Sequence, residues 1–222
     1  MKLARPDIRH PRIVLAGSQD GDDAGLVAAL RKRGLHAHWL SWDDPDTLRA
    51  DLVILRTVTD YVDRLDEFLA WTKRVPNLLN VPAVVAWNTG QHHLRDLRRA
   101  GVPVRSHRSK GAETALVYLG GTQSHAFTAQ QAVDADFELW DVGHAALCDA
   151  AKQAGIQAHE LLYARADVTE DADLVGLDLV APSLGWRLLD ETARDDAQRQ
   201  FAVCVGSALD RLGLGPLSQR RP

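Results

Sequence analysis

The feature that most constrains this chain is residues 161–184, LLYARADVTEDADLVGLDLVAPSL. Two apolar runs, LLYARADV and DLVGLDLVAP, flank a polar connection at 169–173, the pattern of a two-stranded hairpin. The second run is nearly all apolar and reads as a buried strand. A turn centred on Asp171 and Ala172 sets Asp167 opposite Gly176 and Arg165 opposite Asp178. Side chains alternate along a strand, so those four positions share one face. Three charges on one face of an apolar hairpin are costly unless paired or put to use. Two readings follow: an Arg165–Asp178 salt bridge beside a solvated Asp167, or the remnant of a metal–phosphate site.

Upstream, strand and helix alternate. RIVLA at 12–16 is a short strand ending at Gly17, and AGLVAALRKRG repeats apolar residues at helical spacing with Gly34 as its C-terminal cap. Residues 36–40 and 52–55 read as the second and third strands. The glycines at 17, 21 and 25 do not form G-x-G-x-x-G, so the loop carries little dinucleotide signal. The plainer reading is that Asp20, Asp22 or Asp23 caps the helix while the glycines shape the turn. A helix is expected over 62–74, with Val62, Leu65, Phe68, Leu69 and Thr72 on its apolar stripe. VVAW at 84–87 is expected as a fourth strand, 88–101 as a helix capped by Asn88 or Thr89, and 102–104 as the start of a fifth strand. His92 and His93 are adjacent, so they cannot both face one metal from a helix.

From 105 the character changes. RSHRSKG at 105–111 is a basic connector, and 114–119 and 122–127 form a hairpin around Gly120–Gly121. A helix follows over 140–155, then the charged hairpin, then a final helix over 191–212 that packs Ala193, Ala197, Phe201, Val205 and Leu209. The expected fold is α/β: a Rossmann-like parallel sheet over 1–104, then a mixed or antiparallel α+β portion over 105–222, packed with the first as one body. Trp39, Trp42, Trp87, Trp140 and Trp186 fall at element ends, where aromatics either close a core or line a cleft. Trp186 follows the charged hairpin directly and is the candidate for a pocket wall.

Composition narrows the function. Apolar content of 45%, charged content of 25% and a net charge of −4 describe a soluble globular protein. Without a basic block, a nucleic-acid partner is not expected, and the arginines of 219–221 read as a tail. Cys148 and Cys204 stand alone, as free thiols in a reducing compartment rather than zinc ligands. No apolar run reaches the length of a signal peptide or a membrane span, so a cytoplasmic protein with no membrane partner is expected.

Several segments together, in order and spacing, resemble the ATP-grasp superfamily, in its branch of small ligases similar to the cycloserine-biosynthesis ligase. They are SWDDP (41–45), DLVILRTVTDY (51–61), RLDEFLAW (64–71), LLNVPAVVAWNT (78–89), HLRDLRRAGVPV (93–104), ALVYLGGTQSHAF (115–127), LLYARADV and LDLVAPSL. The resemblance implies a Rossmann-like pre-domain over the first hundred residues. It also implies a catalytic centre between a central ATP-clasping domain and a C-terminal sheet.

It implies losses as well. Val104 runs almost at once into the strand at 115–119, so the segment that would supply the phosphate-gripping lysine strand, the glycine-rich flap and the adenine hinge is missing. The Asp-Lys pair expected after Asn88 is replaced by Gly90 and Gln91. Asp167 and Asp178 stand at metal-carboxylate positions, with Gly176 where the middle ligand belongs. Ser124–His125 is followed by AFTAQQ rather than Arg-Lys. Phosphoryl transfer depends on positioning and charge neutralisation, so losing several such groups together is expected to abolish turnover.

The chain is therefore expected to be a shortened, catalytically degenerate ATP-grasp-like protein that binds a small molecule or a partner. Its ligand-binding candidates are Arg56, Asp60, Arg165 and Trp186, with Asp167 and Asp178 as residual, weak metal ligands; Arg165 would pair with a carboxylate. No cofactor is expected. Magnesium and ATP belong to an alternative reading, an active carboxylate–amine ligase with a minimal site. A further alternative is a structural subunit that pairs with itself or with a complete relative through an unused sheet edge.

Overall fold

In the computed structural model, residues 10–19, 21–58, 60–105 and 112–215 are described. The expectations for Asp20, for most of the connector at 105–111 and for the arginines of the tail lie outside them.

Four short apolar runs make a parallel sheet in the order β2 (Ala37–Leu40), β1 (Ile13–Ala16), β3 (Leu52–Leu55), β4 (Leu78–Leu79). β1 and β3 are buried at every position, as central strands covered on both faces must be. Their period of two divides the burial. Ile13, Leu15, Leu52 and Ile54 pack with α1 (Leu26–Lys32) and α6 (Glu191–Arg211), while Val14, Ala16, Val53 and Leu55 pack with α2 (Leu65–Thr72) and α3 (Pro82–Asn88).

Three expectations are corrected here. VVAW lies in α3, not in a strand; the fourth strand is Leu78–Leu79. Pro82 sits at the helix start, where its fixed φ and missing N–H cost nothing. Val84 and Val85 enter different cores, so the helix buries neighbouring residues and hides its period. Asn88 ends α3 instead of opening a helix, and α4 covers only His93–Arg99. Val62 precedes α2 and is 68% exposed, so it does not belong to the packed stripe.

The second sheet is antiparallel, in the order β7 (Ala132–Val133), β6 (Thr122–Phe127), β5 (Glu113–Leu119), β8 (Tyr163–Thr169), β9 (Leu174–Asp178). Gly120 and Gly121 both take positive φ, +59° and +77°, the geometry a tight hairpin needs at both central residues. Val104 bridges Leu174, so the strand start expected at 102–104 joins the β9 edge of this sheet rather than the first sheet. α5 (Phe137–Gln153) covers one face and α6 the other. One core therefore contains residues of both sheets, Ile13 and Ile54 with Val117, Tyr163 and Phe201. Asn80 and Asn88 fasten the first hundred residues to the hairpin. Asn80 donates to the carbonyls of Tyr163 and Leu179 (2.9 Å each) and accepts from the Leu162 N–H (2.8 Å). Asn88 donates to Leu177 O and accepts from Leu179 N–H, both at 2.8 Å.

Candidate functional site

The register of the charged hairpin is the expected one, Arg165 opposite Asp178 and Asp167 opposite Gly176. The ion pair is not. Arg165 Nε donates to Asp167 Oδ1 at 2.8 Å, along its own strand, and its guanidinium lies 5.2 Å from the Phe127 ring centroid. Asp178 instead accepts at Oδ1 from the backbone N–H groups of Val180 (2.9 Å) and Ala181 (3.3 Å), where the chain turns out of β9. Arg165 and Asp167 are half-buried, with side chains 28% and 24% exposed. Burial raises the Asp167 pKa above the ordinary carboxylate value, against the pull of Arg165. Tyr61 adjoins this face: burial, then the Asp178 charge, pushes its phenol up.

Gly176 lies between the two aspartates. A Cβ built there would be 3.7 Å from Asp167 Oδ2, an ordinary contact, so close backbone approach does not account for the glycine. Among the described residues, no three His, Cys, Asp or Glu side chains are grouped so that they could hold a metal ion.

Arg56 is 1% exposed. Its Nε and Nη2 donate to the Asp23 carboxylate at 3.0–3.3 Å and Nη2 also reaches Pro182 O at 3.0 Å. The guanidinium lies over the rings of Tyr163 and Trp186, 5.0 and 5.7 Å from their centroids. Trp186 is fully buried and meets Phe201 edge-on, so it is a core residue rather than a cleft wall. Trp42 and Trp140, at 2% and 9% exposure, likewise close cores. Asp60 faces elsewhere, accepting from Trp42 Nε1 (2.8 Å) and Arg64 (3.1 Å) in a surface cluster with Asp43.

The hairpin face thus gathers Arg165, Asp167 and Asp178, while Arg56 and Trp186 meet each other in the core and Asp60 is turned to Arg64. Sequence reasoning missed Asp22 and Asp23, which do not cap α1. Asp23 neutralises Arg56. Asp22 accepts from Ser183 Oγ (3.0 Å) and from the N–H groups of Gly185 (2.7 Å) and Arg187 (3.0 Å), holding the loop beyond β9. The available signal was an acidic doublet at the carboxyl end of a parallel strand, a place where ligands and charge partners converge. Gly17 is also explained by packing, since a Cβ there would meet Thr57 O at 2.6 Å. His125 Nε2 lies 2.6 Å from Leu184 O, which can only accept; the proton is therefore on Nε2, and Nδ1 accepts from Ser124 Oγ at 3.0 Å. Burial lowers the His125 pKa, keeping the ring neutral.

With this geometry in hand, likeness to known proteins is informative. Residues 8–80 match the family model of the D-cycloserine synthetase DcsG N-terminal domain. The crystal structure of D-cycloserine synthetase DcsG superposes with a TM-score of 0.74 at 20% identity, covering 89% of this chain and 99% of that one. The fold is that of the ATP-grasp ligases. A D-alanine–D-alanine ligase from Bacillus anthracis follows the same path over 92% of this chain and 98% of its own (TM-score 0.61, 11% identity). So does the macrocyclase MdnC from Microcystis aeruginosa MRC, solved with precursor peptide MdnA, over 88% of this chain and 99% of its own (TM-score 0.57, 13% identity). No curated protein sequence matches the chain. No helix among the described residues is long and apolar enough to cross a membrane.

Proposed function

We propose that this chain is a shortened, non-catalytic form of the ATP-grasp ligase fold, one that binds a small carboxylate-bearing molecule or a partner and does not turn over ATP. The observation that carries the reading is the state of the hairpin face. One aspartate is held by Arg165, the other by two backbone N–H groups, and the position between them is a glycine with room for a side chain. Magnesium bound to a triphosphate needs carboxylate oxygens free for the ion and cations aimed at the phosphates. These residues fit that poorly. Asp167 and Asp178 remain the only residual metal ligands we assign, and weak ones. Arg56 offers the triphosphate nothing, being buried against Asp23.

The short connection supports the same reading, since only residues 105–112 separate the bridge at Val104 from β5. What the face retains is a guanidinium, 28% exposed beside the Phe127 ring, whose Nε is taken by Asp167 and whose remaining N–H groups suit a planar carboxylate. The test is steady-state ADP release with magnesium, ATP and a panel of carboxylates and amines. The reading predicts release no faster than for an Asp178→Asn variant. ADP release that depends on an added carboxylate and is lost in Asp178→Asn would overturn it and establish the ligase alternative.

A further inference from the structure

Away from the hairpin, the outer face of α5 carries an imidazole and a thiol one helical turn apart. Cys148 follows His144 by four residues, and both residues are exposed. Cys148 Sγ lies 3.4 Å from His144 Nε2, so one proton is held between a thiol sulfur and a ring nitrogen. That separation is also the bite of a metal chelate. In tetrahedral zinc, bonds of about 2.3 Å to sulfur and about 2.0 Å to nitrogen put the two donor atoms about 3.5 Å apart. A zinc ion can therefore replace the shared proton, which leaves to solvent, with little movement of either side chain. Thiolate and imidazole together select zinc over magnesium or calcium, whose ligands are oxygens.

The pair supplies two of the four donors that a closed zinc site needs. Among the described residues, no third His, Cys, Asp or Glu is placed to complete it. The same helix face shows where the other two donors come from. Phe137, 73% exposed, lies seven residues before His144 and eleven before Cys148, spacings that return to one stripe of a helix. Ala145, exposed beside the pair, has no bulk to hold a second helix away. A solvated aromatic, a small residue and half a zinc site on one face fit a self-complementary contact. A two-fold axis through it supplies the same pair twice.

We propose that His144 and Cys148 form half of a zinc site, completed by the same two residues of a second copy of this chain packed against α5.

The test is a cobalt(II) titration of the full chain, reduced and stripped of metal, with absorption and light scattering read together. Cobalt reports thiolate ligation in its absorption, where zinc with its filled d shell is silent. The expected result is a thiolate-to-cobalt band that saturates at one ion per two chains, with the mass doubling in step. Zinc should bleach the band, and excess magnesium should not. Cys148→Ser should remove it, His144→Ala should weaken cobalt binding at least about tenfold, and Cys204→Ser should leave both readouts unchanged. Phe137→Ser should lower the fraction of dimer at a given cobalt concentration. His144 and Cys148 are exposed, so without metal both variants should melt with the wild type, which separates lost binding from lost folding. The proposal is overturned if no thiolate band appears, if His144→Ala binds cobalt as the wild type does, or if the band saturates at one ion per chain on a monomer.

Discussion

A guanidinium at 1% exposure can be kept only with a counter-charge, and Asp23 supplies it to Arg56, itself 3% exposed and further held by Thr57 Oγ1 at 3.0 Å. That pair was invisible in the sequence because its members are thirty-three residues apart and nothing local links them. The hairpin was different. A period of two specifies which residues share a face, so the opposition of Arg165 and Asp178 was legible; which carboxylate the arginine takes was not, since Asp167 on the same strand competes for it. Asp167 gives a pH-dependent signature. Burial first, with Arg165 opposing, raises its pKa above 3.8, so the fold binds this proton more tightly than the unfolded chain does. Its contribution to stability is therefore complete below 3.8 and is lost as pH rises through the elevated value. Asp167→Asn mimics the protonated form. The prediction is that the melting temperature of the variant gains on the wild type as pH rises from about 4. A difference that is flat, or that shrinks with pH, would contradict this account of the site.

At the level of elements, most strands and helices were legible because each had its own period or turn chemistry: β1 and β3, the Gly-Gly hairpin, and α6 with its four-residue rhythm. The stretch 78–101 was not. There Pro82, two valines facing separate cores and a buried Asn88 produce a helix whose local signals resemble a strand followed by a cap. Only the tertiary partners of Asn80 and Asn88, on β8, β9 and the residues that flank them, explain why asparagine stands at these two positions. This makes Asn80 the sharper test of how the halves are joined. Asn80→Leu keeps the volume but leaves the Leu162 N–H and the Tyr163 and Leu179 carbonyls without their partner. The expected loss is about 3–5 kcal/mol in unfolding free energy, measured by urea denaturation. A loss under about 0.5 kcal/mol would mean that the staple is not needed.

For the whole molecule, the chain has the two sheets of an ATP-grasp ligase joined by one shared core, with residues 105–112 between them. Fold class and order of elements were carried by hydrophobic pattern and by resemblance. The engagement of the charged face was not, because it depends on rotamers and on a loop held by Asp22 from the other end of the chain. The central claim is that this fold no longer serves a magnesium–nucleotide. Thermal melting with magnesium, with ATP, and with both together tests it most directly. A ligand at a hundred times its Kd stabilises a fold by about 2.7 kcal/mol, which at this chain length moves Tm by several degrees. No shift requiring both together is predicted. A shift of several degrees that needs magnesium and ATP at once, and that vanishes in Asp178→Asn, would contradict the account and restore the chain to the working ligases.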